Sequence, residues 1–208
     1  MTRRRLSAPR IAPALALALA VPMTLGLSAC GINSVPTAEE NVKARWADVQ
    51  AQYQRRADLV PNLVATVRGA AASEERILTN VTEARANATR ISVSPEQLSD
   101  PAAMKSFSEA QARLSAAILP LQRLQEAYPQ LQSQGNFTTL MAQLEGTENR
   151  ITVAVRDYNE AVRDYNTRIR TFPEMIGAKL VHGAKPLQPF QATTPNADQA
   201  PKVDFESK

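Results

Sequence analysis

A heptad repeat of apolar residues in the C-terminal half of the chain constrains the fold more than any other feature. Apolar side chains recur at alternating spacings of three and four from Phe137 to Phe172, and Glu148 alone interrupts the series. This seam predicts one helix of about 35 residues that needs partner helices to cover it. Asn136 is a favourable N-cap. The helix should end at Phe172-Pro173, because proline disfavours helical geometry in the residue before it.

Three further stretches place apolar residues at helical spacing. They cover residues 38–68, residues 73–91 and residues 101–128. Pro61 lies inside the first stretch and Pro120 inside the third. Because proline removes a backbone donor from a helix, we expect a kink or break near Pro61 and a bend at Pro120.

Four helices joined by short loops, each with one apolar stripe, predict an all-α fold. We expect an antiparallel up-and-down four-helix bundle over residues 38–173, in which the first and last helices are neighbours. An aromatic content of 5% and only seven glycines argue against a β-sandwich. Residues 174–208 are rich in proline and should form an extended C-terminal tail that packs Leu187 and Phe190 on the bundle.

The N-terminus has the layout of a secretory signal, in which a basic stretch is followed by an apolar one and then by small residues. Its last four residues, Leu27-Ser-Ala-Cys30, resemble a bacterial lipobox, whose cysteine is lipidated through its sulfur. The sequence therefore predicts a lipoprotein signal peptide over residues 1–29, lipidation of Cys30, and a tether over residues 30–37 that ends in a capping box at Thr37. The alternative is that the segment stays uncleaved as an anchor helix.

The excess positive charge of the chain belongs to this N-terminal segment. The formal net charge is +4, but residues 1–29 contain four arginines and no acidic residue. The remaining 20 basic residues equal the 20 acidic ones, so a mature chain gives no support for nucleic-acid binding. Acyl chains on Cys30 would hold the protein at a membrane. We expect a cell-membrane lipoprotein that faces the periplasm or the cell exterior, and the choice between inner and outer membrane stays open.

The sequence carries no motif for catalysis. His182 is the single histidine, and without a second histidine or a spare cysteine it cannot build a zinc site of the usual ligand sets. The chain has neither a phosphate-binding loop nor a nucleophile elbow. We therefore expect no enzymatic activity, no metal and no cofactor.

Four polar residues on or beside the helical seams are the candidate site residues. Arg56 and Glu148 occupy seam positions where apolar residues are expected, and we predict that they pair inside the bundle because an unpaired buried charge is costly. Asn159 and Asn166 belong to a repeated Val-Arg-Asp-Tyr-Asn unit and flank the seam. We predict that they donate hydrogen bonds to the neighbouring helix. These groups would either fix helix register or contact a ligand or partner.

Three sets of residues, in chain order, carry a family resemblance. They are Gln54-Arg-Arg-Ala-Asp-Leu-Val-Pro-Asn-Leu-Val64; Glu126-Ala-Tyr-Pro129 with Asn136-Phe137 and Thr147-Glu-Asn-Arg-Ile151; and Tyr158-Asn159, Tyr165-Asn166 and Phe172-Pro173 with Pro201-Lys-Val-Asp-Phe205. Over residues 39–205 the chain resembles the LemA family of bacterial envelope proteins. The resemblance implies a helical bundle that is tethered to a membrane by its N-terminus and faces away from the cytoplasm. No catalytic residues come with it.

Together these observations favour a non-catalytic, lipid-anchored adaptor or scaffold for another cell-envelope protein. One alternative is a receptor for a small ligand or peptide held between helices, which an apolar pocket beside Pro61 or Pro120 would favour. A second alternative is a hydrolase of envelope material, which would need a cleft with convergent titratable groups.

Overall fold

The computed structural model describes residues 33–132 and 135–191, and within these ranges all regular structure is helical. This confirms the all-α fold class. Short 3-10 turns at Ala72–Glu74 and Pro95–Ser99 connect some of the helices. The described α-helices, in chain order, are α1 (Ser34–Ala70), α2 (Glu75–Arg90), α3 (Pro101–Ala127), α4 (Pro129–Gln132), α5 (Gly135–Arg168) and α6 (Glu174–Leu180).

The two longest helices, α1 and α5, pack side by side and run antiparallel. Trp46 near the start of α1 lies 5.1 Å from Tyr158, between ring centroids, and Arg56 farther along α1 reaches Glu148, which comes earlier in α5. The predicted neighbourhood of the first and last long helices is therefore correct. Helix α1 also packs against α2, which in turn packs against α3.

The core consists of two apolar clusters separated by a polar layer. The first cluster surrounds Trp46, whose ring lies 5.3 Å from that of Phe107 and 6.3 Å from that of Phe190. The second contains the C-terminal half of α1, the start of α5 and the apolar faces of α2 and α3. Arg56 and Gln111 are buried polar residues where the two clusters meet. Helix α1 therefore crosses both clusters and carries a charge between them.

Helix α1 is continuous through Pro61, so the predicted break does not occur. A proline at position 61 cannot donate a hydrogen bond to the carbonyl of Ala57, four residues earlier. Arg85 of α2 supplies the missing donor, because its Nε lies 2.8 Å from that carbonyl oxygen. A side chain from the neighbouring helix thus replaces the hydrogen bond that proline removes. Helix α3 likewise runs through Pro120 without interruption.

Two predicted boundaries near the N-terminus are wrong. Helix α1 begins at Ser34, so residues 34–37 are helical instead of forming a tether. Thr37 does not cap the helix, because its hydroxyl donates to the carbonyl of Asn33 at 2.8 Å. The burial of Val35 in the first apolar cluster explains the earlier start, since that contact requires an extra helical turn. The proposed signal peptide and Cys30 lie outside the described residues.

The C-terminal boundaries also differ from the prediction. Helix α5 ends at Arg168, four residues before Phe172, and the chain then tightens into a turn in which the N–H of Arg170 bonds the carbonyl of Thr167. The predicted tail begins with a helix, α6, which buries the small residues Gly177 and Ala178.

Beyond α6 the chain extends along the bundle. Phe190 is buried there and Leu187 packs against the first cluster, as expected. Residues 192–208, the rest of the predicted tail, lie outside the described residues. Among the residues that are described, no helix has the length and apolar character needed to cross a bilayer.

Candidate functional site

Arg56 stands at the centre of a polar node built by α1, α3 and α5. Its side chain is 1% exposed, and its Nη1 lies 3.0 Å from Oε1 of Glu148 and 2.6 Å from the hydroxyl of Ser115. Its Nη2 donates to the backbone carbonyl and to the side-chain Oε1 of Gln111, at 3.0 and 2.8 Å. The structure therefore brings Arg56 and Glu148 together, in the company of two residues of α3 that the sequence did not single out.

The two members of the charged pair have different surroundings. Arg56 is enclosed, with its guanidinium carbon 4.9 Å from the centre of the Tyr53 ring. That distance allows a cation–π contact. Glu148 is 45% exposed and touches Arg56 through one oxygen. The predicted pairing inside the bundle therefore holds for the arginine only, because Glu148 lies at the surface of a groove.

Neutral groups, more than the carboxylate, hold the guanidinium in place. Gln111 accepts two of its hydrogen bonds and donates its own amide to the carbonyl of Ala88 at the end of α2, at 3.3 Å. The Nε of Arg56 is buried without a hydrogen-bond partner in the described part of the chain. Burial also raises the pKa of Tyr53 to about 12. The node is thus a buried guanidinium that pairs with one half-exposed carboxylate, and its Nε is the donor without a partner among the described residues.

A groove opens between α3 and α5 above this node. It contains two cavities of about 510 and 720 Å³, and Ser115, Leu119 and Glu148 line both of them. Tyr53 and Arg56 border the smaller cavity, and Leu119 on its wall is half exposed. Volumes of this size are typical of sites for small molecules or for a segment of a partner protein. Leu119, which lines the larger cavity, directly precedes Pro120 in α3.

A second site is formed by Asn159 and Asn166, which hold the extended segment 184–191. The Asn159 amide donates to the carbonyl of Phe190 at 3.0 Å, and its oxygen accepts the backbone N–H of Phe190 at 2.8 Å. Asn166 makes the same pair of bonds with Leu187, at 2.8 and 2.9 Å. The prediction that these asparagines bond a neighbouring helix is therefore wrong, because all four of these hydrogen bonds go to the extended segment.

The spacing of the two asparagines matches the spacing of their partners. Seven residues of helix span about 10 Å, and so do three residues of extended chain. Asn159 and Asn166 therefore meet every third residue of the segment, in antiparallel order. The hydroxyl of Tyr158 adds a bond to the carbonyl of Gln188 at 2.8 Å, and the backbone N–H of Gln188 donates to Leu98 at 2.9 Å. Two spacings in the sequence could have revealed this clamp. Asn159 and Asn166 are seven residues apart, and the apolar residues Leu187 and Phe190 are three residues apart.

The groove node and the asparagine clamp present hydrogen-bonding and charged groups. In residues 33–132 and 135–191, no group of three or more His, Cys, Asp or Glu side chains is placed to hold a metal ion. The groove node offers an arginine, a carboxylate, a hydroxyl and an amide, which recognise partners through hydrogen bonds and charge. His182 follows α6 in the sequence and is exposed, and it is far in sequence from the residues that line the groove.

Comparison with known proteins identifies the family. The model of the LemA family matches residues 45–205, which is most of the chain and includes α2 to α6 and residues 45–70 of α1. No curated protein matches the chain. Since the family match spans the groove node and the asparagine clamp alike, the chain belongs to the LemA family.

Proposed function

We propose that this protein is a lipid-anchored, non-catalytic adaptor of the cell envelope that binds a partner protein in the groove between α3 and α5. The observation that carries the proposal is the polar node in that groove. There the buried Arg56 is held by neutral groups, and its one carboxylate partner, Glu148, is half exposed to solvent. The lipobox-like Leu27-Ser-Ala-Cys30 supports the anchor. Membership in the LemA family is consistent with an envelope location.

The shape of the groove fits an inserted segment of a partner protein better than it fits a flat protein surface. Its residues on α3 run from Ser108 to Gln122, about 20 Å along the helix. Leu119 and Ile151 supply apolar contact area, and Glu148 supplies a charge that a partner can pair. Buried apolar contacts flanked by a few polar groups are typical of specific protein interfaces.

Site-directed photocrosslinking in cells tests the adaptor. A photoreactive residue replaces Leu119 in the groove, and a matched control replaces Glu83, which is exposed on α2. We expect position 119 to crosslink to a defined envelope protein and position 83 not to do so. Glu148→Gln should lower the yield from position 119. Equal crosslinking from both positions, or none from either, contradicts binding in the groove.

The anchor is tested separately with Cys30→Ala. We expect labelled fatty acid to enter the wild-type protein and not the variant, and the variant to leave the membrane fraction. If Cys30→Ala remains in the membrane without fatty acid, the protein is held there by another part of the chain, such as the N-terminal segment as an uncleaved anchor helix. If the wild type takes up no fatty acid, lipidation is rejected while the groove result still stands.

A receptor for a small ligand is the second candidate function. The observation in its favour is the cavity of about 720 Å³, which Ile118, Leu119 and Met141 line with apolar atoms. Screening small molecules by thermal shift on the full chain would identify a ligand that raises the Tm. The rise should disappear in Ala142→Trp, which fills the cavity from α5. A Tm shift that Ala142→Trp leaves unchanged would place the ligand elsewhere.

A further inference from the structure

Four large apolar side chains lie exposed in one short stretch at the end of the bundle. Phe172, Ile176, Leu180 and Val181 are 76%, 50%, 81% and 62% exposed. In the whole described part of the chain, only two other large apolar residues are exposed to a comparable degree, and they are far apart in sequence. Exposed apolar residues concentrated in this way mark a surface that binds something.

Helix α6 exposes its large apolar side chains, whereas an ordinary surface helix buries them. It buries the small residues Gly177 and Ala178 against the bundle and turns Ile176 and Leu180 outward. Phe172 precedes α6, in the turn before Pro173, and we call Phe172, Ile176, Leu180 and Val181 together the stripe. A helix that only completed the core would place its large apolar residues inside. The stripe therefore contributes little to the fold and is available for an external contact.

The stripe lies at the end of the molecule where the N-terminus emerges. Asn33 and Ser34 at the start of α1 border the same surface depression as Arg168 at the end of α5, and α1 contacts α6. Cys30 precedes Asn33 by three residues, which span at most about 11 Å even when fully extended. An acylated Cys30 would therefore bring this end of the bundle to the bilayer.

The charges around the stripe suit an anionic surface. Arg170, Lys179 and Lys185 flank it in sequence, and Glu174 is the one acidic residue between positions 168 and 185. Arg168 at the border is paired with Asp164 at 3.0 Å and is not counted among these cations. Arg170, Lys179 and Lys185 are exposed. Large apolar side chains bordered by Lys and Arg are the features with which interfacial helices bind bilayers that contain anionic lipids.

We infer that the stripe Phe172–Val181 is a membrane-docking surface that inserts its apolar side chains into the lipid interface and sets the bundle upright on the bilayer. This inference rests on the proposed anchor for its proximity to lipid, but the surface is a separate site from Cys30. Phe172, Ile176 and Leu180 would enter the acyl boundary, and the flanking cations would contact lipid phosphates.

Fluorescence quenching by lipid tests the docking surface. Ile176→Cys and Leu180→Cys are labelled with bimane in the acylated full-length protein, reconstituted into phosphatidylcholine vesicles with about one quarter phosphatidylglycerol. Because Cys30 is the only natural cysteine, its acylation leaves the introduced thiol as the one that reacts. Val153→Cys is the matched control, since Val153 is an exposed apolar residue in the middle of α5. Brominated lipids should quench the labels at 176 and 180 about five-fold more than the label at 153.

Each outcome decides between docking and its alternatives. If the protein floats with the vesicles and all three labels are quenched equally, the docking surface is rejected while the anchor stands. If the labels at position 176 of two protein molecules lie close together and are not quenched by the brominated lipids, the stripe binds a second copy of the chain and docking is rejected. If the wild type is not acylated, the anchor fails, and the labels are read in a Cys30→Ser background with vesicles in excess. Quenching at 176 and 180 then supports docking, and its absence rejects it.

Discussion

Arg56 and Glu148 differ so much in burial that their removal should have different effects on stability. Arg56→Lys keeps the charge but loses the planar fork that bonds Gln111 and Ser115 together, so we expect it to lower the free energy of unfolding by about 2–4 kcal/mol. Glu148→Gln keeps an acceptor oxygen on a half-exposed side chain and should cost less than about 1 kcal/mol. Urea denaturation of the full chain measures both values.

Equal losses from the two variants would contradict this picture, because they would mean that the ion pair itself stabilises the node. Ser115→Ala is the control for a single neutral hydrogen bond. It should lower the free energy of unfolding by about 1 kcal/mol, since it removes one of the four bonds to the guanidinium.

Tyr53 makes the stability of the protein depend on pH in the alkaline range. Burial raises the pKa of its hydroxyl from 10.0 to about 12, so the folded state holds the phenolic proton more tightly than the unfolded state. The stabilisation is complete below pH 10 and is lost as the pH rises through 12, with a limit of about 2–3 kcal/mol. Tyr53→Phe, which has no ionisable proton, should reduce this loss in denaturation curves recorded from pH 9 to 12.

Tyr158→Phe is the comparison for this prediction. Burial raises the pKa of Tyr158 as well, but its hydroxyl also donates to Gln188. Its replacement should therefore lower stability already at pH 7, by about 1 kcal/mol, whereas Tyr53→Phe should leave stability at pH 7 nearly unchanged. A Tyr53→Phe protein with the same alkaline loss as the wild type would show that Tyr53 does not contribute to it.

Among the helices, α1 tolerates an internal proline because α2 compensates for it. Arg85→Met should lower the free energy of unfolding by about 1–2 kcal/mol, since it leaves the carbonyl of Ala57 without a donor. In a Pro61→Ala background, the N–H of residue 61 can bond that carbonyl, and Arg85→Met should then cost much less. A double-mutant cycle of Pro61 and Arg85, measured by urea denaturation, gives the coupling energy.

Arg90→Met serves as the surface control for the cycle, because Arg90 is exposed and its guanidinium bonds only Asn87 among the described contacts. It should change stability little in either background. If Arg85→Met costs the same with and without Pro61, the Arg85 hydrogen bond does not replace the one that proline removes.

Helices whose apolar residues recur at a regular spacing are predictable from the sequence. Features that depend on a single contact between helices are not. The heptad seam of α5 places its buried face correctly, and Arg56 and Glu148 meet because both interrupt seams on adjacent helices. The continuity of α1 at Pro61 depends on one arginine of another helix, which no local pattern indicates. The period also shows which face of α5 carries Asn159 and Asn166, but not what covers that face.

The asparagine clamp should control the opening of the C-terminal segment 184–191. Asn159→Ala with Asn166→Ala removes four hydrogen bonds to the backbone of Leu187 and Phe190, which we expect to lower the local free energy of opening by about 2–4 kcal/mol. Hydrogen exchange of the Leu187 and Phe190 amides measures that opening directly. Exchange should speed up at these two amides while the amides within α2 stay protected.

Asn159→Asp separates the two halves of the clamp. The aspartate keeps the acceptor for the Phe190 N–H and loses the donor to the Phe190 carbonyl, so exchange should lie between the wild type and Asn159→Ala. Unchanged exchange in the double alanine variant would show that the burial of Phe190 and the two hydrogen bonds of Gln188 hold the segment without the clamp.

At the scale of the whole molecule, the polar layer divides one core into two clusters. The first cluster lies at the end where the N-terminus and α6 meet, and the second lies at the opposite end. Arg56 comes 22 residues after Ser34, so an upright bundle would carry the groove about 30 Å above the anchored end. The polar layer therefore places the groove between the two apolar clusters.

Joining the two clusters should leave the protein at least as stable as the wild type and remove the polar groups that the proposed partner would contact in the groove. Arg56→Met alone leaves Gln111 and Ser115 without their partner and should lower the free energy of unfolding by about 2–4 kcal/mol. Arg56→Met with Gln111→Leu replaces both buried polar groups by apolar ones, and should restore or exceed wild-type stability, because buried charges are often less stabilising than packed apolar side chains. Crosslinking from position 119 should nevertheless be lost in this double variant. A stable double variant that still crosslinks would show that the polar layer serves only to align the helices, and that the partner recognises the groove by its apolar walls.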